Sequence, residues 1–182
     1  MAVVQQVAKH REHPLVRLAG AFSEIADQPQ MRAVCGATVL AGVFLSDGRL
    51  TRTGVRMLAA HTLATWAKNT VKNAVDRTRP SVLVEEGRYE MRRGDSKESS
   101  ESSFPSGHTA GAVAVAHALA REYPKLAVPA YGAAAAVAAI QVPRCKHYPS
   151  DLAAGALVGL AAGYLVDLGF GAAARAGGAA LR

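Results

Sequence analysis

In the stretch HYPSD, His147 and Asp151 stand four residues apart around Pro149, directly ahead of an apolar run. A carboxylate placed there can accept from one imidazole nitrogen and leave the lone pair of the other free, which makes a nucleophile or a base. The same spacing also suits a plain helix start, with Asp in the first turn and His in the polar loop before it. A second stretch, SSFPSGHTAG, sets Pro105, Ser106, Gly107 and His108 before the apolar AVAVAHALA. Ser106 alone would cap such a helix. Gly107 adds close backbone approach, the free N–H groups of the helix start favour an anion, and His108 can move a proton. A third stretch, KNAVDRTRPS, puts Lys72 and Arg79 seven residues apart. On a helix ended by Pro80, both would project from one face, either to grip an anion or to complement the C-terminal dipole.

The elements that must position these residues are apolar and helical. Half of the 182 residues are hydrophobic, yet the formal charge is +7. A basic balance suits nucleic acid, anionic lipid or a phosphorylated substrate. Aromatics are only 5% of the chain and scattered, which argues against nucleic acid. Ala and Gly dominate the apolar stretches, the composition of closely packed helices, including helices in a bilayer. Cys35 and Cys145 lie in dissimilar surroundings, so a disulfide framework is not expected.

A single domain over 1–182 is expected. Residues 14–27 (LVRLAGAFSEIA at their centre) have helical apolar spacing broken by Arg17 and Glu24, an amphipathic helix suited to a membrane surface. Apolar runs follow at 33–45, 55–71, 109–120, 126–142 and 152–170, and the motif-bearing core spans 54–171. Only the last run approaches the ~20 residues that cross a bilayer. Its Gly155, Gly159 and Gly163, four apart, predict a smooth stripe for close helix contact. Between 81 and 103 the chain turns polar, charged and Ser-rich, and reads as a long loop. The N-terminus lacks a sustained apolar core with a cleavage site, so a secretory signal is not expected and membrane entry would use internal helices. No internal repeat or strand-like alternation is evident.

Taken together, KNAVDRTRP, PSGH and HYPSD resemble the three signatures of the type 2 phosphatidic acid phosphatase (PAP2) family, which shares a core with vanadium haloperoxidases. The resemblance runs from Lys72 to Asp151. It implies an all-α, six-helix bundle, mostly membrane-embedded, with the long polar loop ahead of the PSGH helix. It also implies a phosphatase that needs no metal or other cofactor and hydrolyses a lipid phosphomonoester or diphosphate (phosphatidic acid, phosphatidylglycerophosphate or prenyl diphosphate class) through a phosphohistidine.

Carried over by position, His147 is the nucleophile, Asp151 orients it and His108 is the general acid. Lys72, Arg79, the Ser106 hydroxyl and the Gly107 N–H hold the phosphoryl oxygens. The implied setting is the bacterial inner membrane, with the site facing away from the cytoplasm; the implied partners are a phosphorylated lipid and the bilayer. One departure stands out. The family's third signature begins Ser-Arg, and this chain has Ile140 and Gln141 there. Gln141 supplies hydrogen bonds without charge, and Arg144 is the nearest guanidinium to replace the missing one, so both are expected at the phosphate. A weakened lipid-phosphate binder and a soluble acid phosphatase or haloperoxidase relative are the alternative readings.

Overall fold

The computed structural model describes residues 6–180. Residues 1–5, part of the segment read above for a secretory signal, and the last two residues of the single-domain span lie outside the described residues.

Six principal helices form the molecule: α1 (Pro14–Ser23), α2 (Gln28–Phe44), α3 (Gly48–Lys72), α5 (Gly107–Glu122), α6 (Ala127–Ile140) and α7 (Pro149–Ala180), with a short α4 (Pro80–Glu86) between α3 and α5. The expected all-α bundle is the architecture found. A one-turn 3-10 segment at Glu24–Ala26 continues α1 toward α2. Proline marks helix starts throughout, because its missing N–H is unsatisfied there anyway: Pro14, Pro29, Pro80 and Pro149 all sit in a first turn. Asp47 caps α3, its carboxylate accepting from the N–H groups of Arg49 (2.9 Å) and Leu50 (3.0 Å).

Helix α5 is the axis. Nine of its residues are buried, and α3, α6 and α7 pack around it. Small residues allow this. Ala60, Ala64 and Ala114 are wholly enclosed, and the expected glycine stripe lies against α5. A Cβ at Gly155 would come 2.6 Å from the Ser106 carbonyl oxygen, and one at Gly159 would come 2.5 Å from that of Ala110. No side chain fits in that seam. The outer surface is apolar instead: Leu15, Leu18, Phe22 and Ile25 of the α1 segment, Trp66 of α3, and Leu157, Leu165 and Leu168 of α7 are exposed.

Two expectations are corrected. Residues 73–79 are not helical: α3 stops at Lys72, and Val75–Arg77 forms a strand, β1, paired antiparallel with β2 (Met91–Arg93) in the register Val75↔Arg93 and Arg77↔Met91. Pro80 therefore opens α4 rather than closing α3. The long polar loop is also more ordered than its composition predicts, since it contains α4, β2 and a 3-10 turn at Ser99–Glu101. Three-residue strands are too short for alternation to show in sequence. Gly87, at φ 68°, ends α4 in the left-handed conformation that glycine adopts without a Cβ penalty. Cys35 and Cys145 are both free and buried.

Candidate active site

The HYPSD loop connects α6 to α7. Its backbone hangs on one acceptor, because the N–H groups of Lys146 (3.1 Å) and His147 (3.4 Å) both donate to the Gln141 carbonyl. His147 is buried, and its Nδ1 lies 2.7 Å from the Ser103 carbonyl oxygen. A carbonyl only accepts, so Nδ1 carries the proton and the Nε2 lone pair is free. Burial pushes the His147 imidazole below its ordinary value, outweighing the upward pull of Asp151 and Ser103, and favours the neutral, nucleophilic form.

Asp151 is completely enclosed, but it does not hold His147 directly: Oδ2 is 3.8 Å from Nδ1. That oxygen instead accepts from the Ser103 hydroxyl (2.6 Å) and the Tyr148 N–H (2.8 Å). Ser103 thus bridges the pair, its carbonyl fixing the imidazole and its hydroxyl held by the carboxylate. The other oxygen, Oδ1, accepts from Arg77 Nη1 at 2.5 Å, and the Arg77 guanidinium lies over the Tyr148 ring at 4.3 Å. Sequence reasoning missed Arg77 and Ser103. The signal available for Arg77 was chemical, since a buried carboxylate requires a cation and DRTRP offers two.

The cations converge on the segment before α5. Lys72, the last residue of α3, donates to the Ser102 carbonyl, and Arg79 Nη2 lies 3.5 Å from the Ser102 hydroxyl. Lys72 and Arg79 meet because the chain doubles back through β1, not because they share a helix face. Arg79 Nε is buried with no hydrogen-bond partner. A third cation is added by Lys68, one turn before Lys72 and buried, which passes over Gly107: a Cβ there would sit 3.4 Å from Lys68 Cδ and 3.6 Å from Nζ. The i,i+4 spacing to Lys72 was its unread signal.

Ser106 caps α5. Its hydroxyl accepts from Thr109 N–H (3.4 Å) and Oγ1 (3.0 Å), while its own N–H donates to the Asp151 carbonyl (3.0 Å) and ties α5 to α7. His108 Nε2 is buried without a hydrogen bond, 3.6 Å from Glu24 Oε2. The remaining two expected residues point elsewhere. The Gln141 side chain, with no exposed surface, donates to Val137 O (3.0 Å) and the Ser23 hydroxyl (3.3 Å). Arg144 donates to Gly20 O (3.2 Å), the Ser23 hydroxyl (2.9 Å) and Glu24 (2.5 Å). Both are committed to α1 and its continuation, so the structure does not bring them to the Lys68–Lys72–Arg79 group. Lys146 also reaches Glu24, at 3.0 Å.

The arrangement combines an imidazole with a free lone pair, one buried and two half-buried cations, and a second imidazole on an adjoining helix start. Such a set can stabilise the charge of a phosphoryl group under attack and protonate what leaves. Comparison with known proteins bears on this geometry. The sequence model of the PAP2 superfamily matches residues 53–173, which is more than half the chain. No curated protein sequence matches it. Among solved structures, Aquifex aeolicus LpxE superposes with a TM-score of 0.64 at 18% identity, covering 91% of this chain and 92% of that one. The transmembrane PAP2-type phosphatidylglycerolphosphate phosphatase from Bacillus subtilis aligns with a TM-score of 0.46 at 22% identity, over 93% of this chain and 92% of that one.

Proposed function

The chain belongs to the PAP2 superfamily, and from that premise we propose that it is an integral-membrane lipid phosphatase working through a phosphohistidine at His147. The observation that carries this reading is the pairing of a His147 Nε2 left free by the Ser103 contact with the buried Lys68 and the half-buried Lys72 and Arg79. Nε2 attacks phosphorus, the bond to the lipid oxygen breaks with its electron pair, and protonated His108 gives that oxygen a proton. Water then attacks the phosphohistidine, His108 takes the water's proton, and the P–N bond electrons return to Nε2, releasing phosphate. Each well-placed donor to the phosphoryl oxygens is worth about 10²–10³ in rate. Lys68 leaves the site well supplied with charge, which favours turnover over binding alone.

The donor set supports metal-free chemistry. The carboxylate beside His147 is already taken by Arg77, Ser103 and the Tyr148 N–H, which leaves cations and imidazoles to face phosphate.

The membrane reading rests on Pro149–Ala176, the one described helix long and apolar enough to cross a bilayer. Its mean hydropathy is 1.7 and only 22% of the apolar window is buried, unlike the core helix of a water-soluble bundle. The exposed Leu15, Leu18, Phe22 and Ile25 suit α1 to the interface. Placement in a bacterial inner membrane with the site away from the cytoplasm rests on family membership, as does the substrate range of phosphatidic acid, phosphatidylglycerophosphate and prenyl diphosphates.

The test is phosphate release from that lipid panel by protein purified in detergent, with and without EDTA. Release should survive chelation. His147→Ala should abolish both turnover and acid-labile phosphoenzyme. No release from any lipid phosphate, or a phosphoenzyme that persists in His147→Ala, would overturn the reading.

A further inference from the structure

We propose that Glu24 is a positioning residue for His108: its carboxylate takes the Nε2–H of the imidazolium and so aims Nδ1–H at the oxygen departing with the lipid. The proposal rests on the phosphatase reading above and adds to it a residue outside the three signatures, brought in by the segment after α1. Glu24 Oε2 stands 3.6 Å from a buried Nε2 that has no hydrogen-bond partner, which leaves Nδ1 as the nitrogen to face the substrate. Closing the gap to the ~2.8 Å of a charge-assisted bond needs less than about 1 Å of movement, and such bonds are commonly long before substrate binds.

The carboxylate is well anchored. Its Oε1 accepts from Arg144 at 2.5 Å and Lys146 at 3.0 Å, both from the loop that carries His147. The α1 segment is pinned in turn by Arg144 on Gly20 O and by Gln141 on Ser23. A Cβ at Gly20 would fall 2.9 Å from Arg144 Nε, so glycine leaves that guanidinium its path. The general acid is thereby tied to the nucleophile's own loop. Burial raises the Glu24 carboxyl, but its bonds to Arg144 and Lys146 outweigh this and hold it at about 2, ionised whenever the enzyme works.

Burial lowers the His108 imidazole; Asp27 at the start of α2 and then Glu24 pull it back toward the charged form, Lys146 and His147 of the loop oppose them, and Lys68 of α3 lies over the neighbouring Gly107. Glu24 is the carboxylate within reach of Nε2. A carboxylate at that nitrogen favours the charged imidazolium, which is the form that donates. In the step it supports, the proton on Nδ1 passes to the leaving oxygen as the P–O bond breaks. The imidazole is left neutral, with Nε2–H still held by Glu24.

The experiment uses the full chain in detergent and two phosphomonoesters, an aryl phosphate whose phenolate leaves unaided and a lipid alkyl phosphate whose alkoxide needs a proton. Glu24→Gln should lower kcat about 10-fold on the alkyl substrate, a fraction of what general acids contribute, with little change on the aryl one. The alkaline limb of the alkyl profile should move to lower pH, since an imidazolium without its carboxylate gives up its proton sooner. Glu24→Asp, which keeps charge on a shorter arm, should fall between, and Glu24→Gln should add nothing to His108→Ala.

Equal losses on both substrates, an unmoved alkaline limb, or a gain of activity overturn the proposal, the last because the carboxylate would then be occupying the substrate's place. His108→Ala in the same assay separates the two levels. A loss graded by leaving group there, with none in Glu24→Gln, sinks the role of Glu24 alone. An ungraded His108→Ala sinks the assignment of the general acid.

Discussion

The Arg77 guanidinium and the Asp151 carboxylate meet at 2.5 Å, both shut away from solvent, and the same carboxylate anchors the Ser103 hydroxyl. Removing one partner of a buried pair leaves an uncompensated charge. Arg77→Ala should therefore cost about 3–5 kcal/mol of stability, read from thermal unfolding in detergent. Replacing both residues together by Met and Leu should restore much of that loss but not turnover. An unchanged unfolding temperature in Arg77→Ala would show that the pair is solvated.

A second expectation concerns pH. Burial holds the His147 imidazole below 6.5, so the acid limb of kcat/KM should lie at a pH below that ordinary value. The sign for stability is the same. Between the unfolded and folded values the unfolded chain binds a proton that folded His147 refuses, so stability present above about pH 6.5 is lost as the pH falls. Following the His147 ring by NMR during acid titration checks both. A value at or above 6.5 would contradict the burial argument.

Gln141→Arg tests the departure from the family signature. If the side chain faced phosphate, a guanidinium there would raise activity. It is instead fully enclosed against Val137 and Ser23, beside Arg144, which shares the Ser23 hydroxyl. Overpacking and a second charge should destabilise the protein by about 1–3 kcal/mol without raising kcat, as read from unfolding and turnover together. A gain in kcat would place the residue at the phosphate after all.

The parts of this site legible in the sequence were those written as contiguous motifs. PSGH marks the helix start found at Gly107, whereas the His147–Asp151 pair of HYPSD is bridged through Ser103 rather than joined directly. What escaped was set by contacts between distant segments. Glu24 reaches His108 across 84 positions of sequence because α1 docks on the α6–α7 loop, and no local pattern encodes that docking. Lys72 and Arg79 converge on Ser102 through the strand Val75–Arg77 rather than through a shared helix face, a strand too short to show in sequence. Charge alone points Arg144 at phosphate, whereas in the fold it pairs with Glu24 on another element. Charge in sequence says what a residue can bind, and only packing says which partner arrives first.

The seam between α5 and α7 has a consequence for the chemistry. His108 rides on α5 and His147 on the loop that enters α7, so the separation of the two imidazoles, the acid and nucleophile of the proposed mechanism, is set by how closely two helices approach. That clearance is fixed at Gly155, where a methyl group would collide with the Ser106 carbonyl at 2.6 Å. Ser106 in turn is fastened by its N–H to the Asp151 carbonyl, one turn from Gly155. The glycine works as a spacer gauge, calibrating a catalytic distance without contributing an atom to the reaction. Gly155→Ala would remove no polar group of the site and still detune it, because the added methyl would push α5 and α7 apart and change the gap between the two histidines.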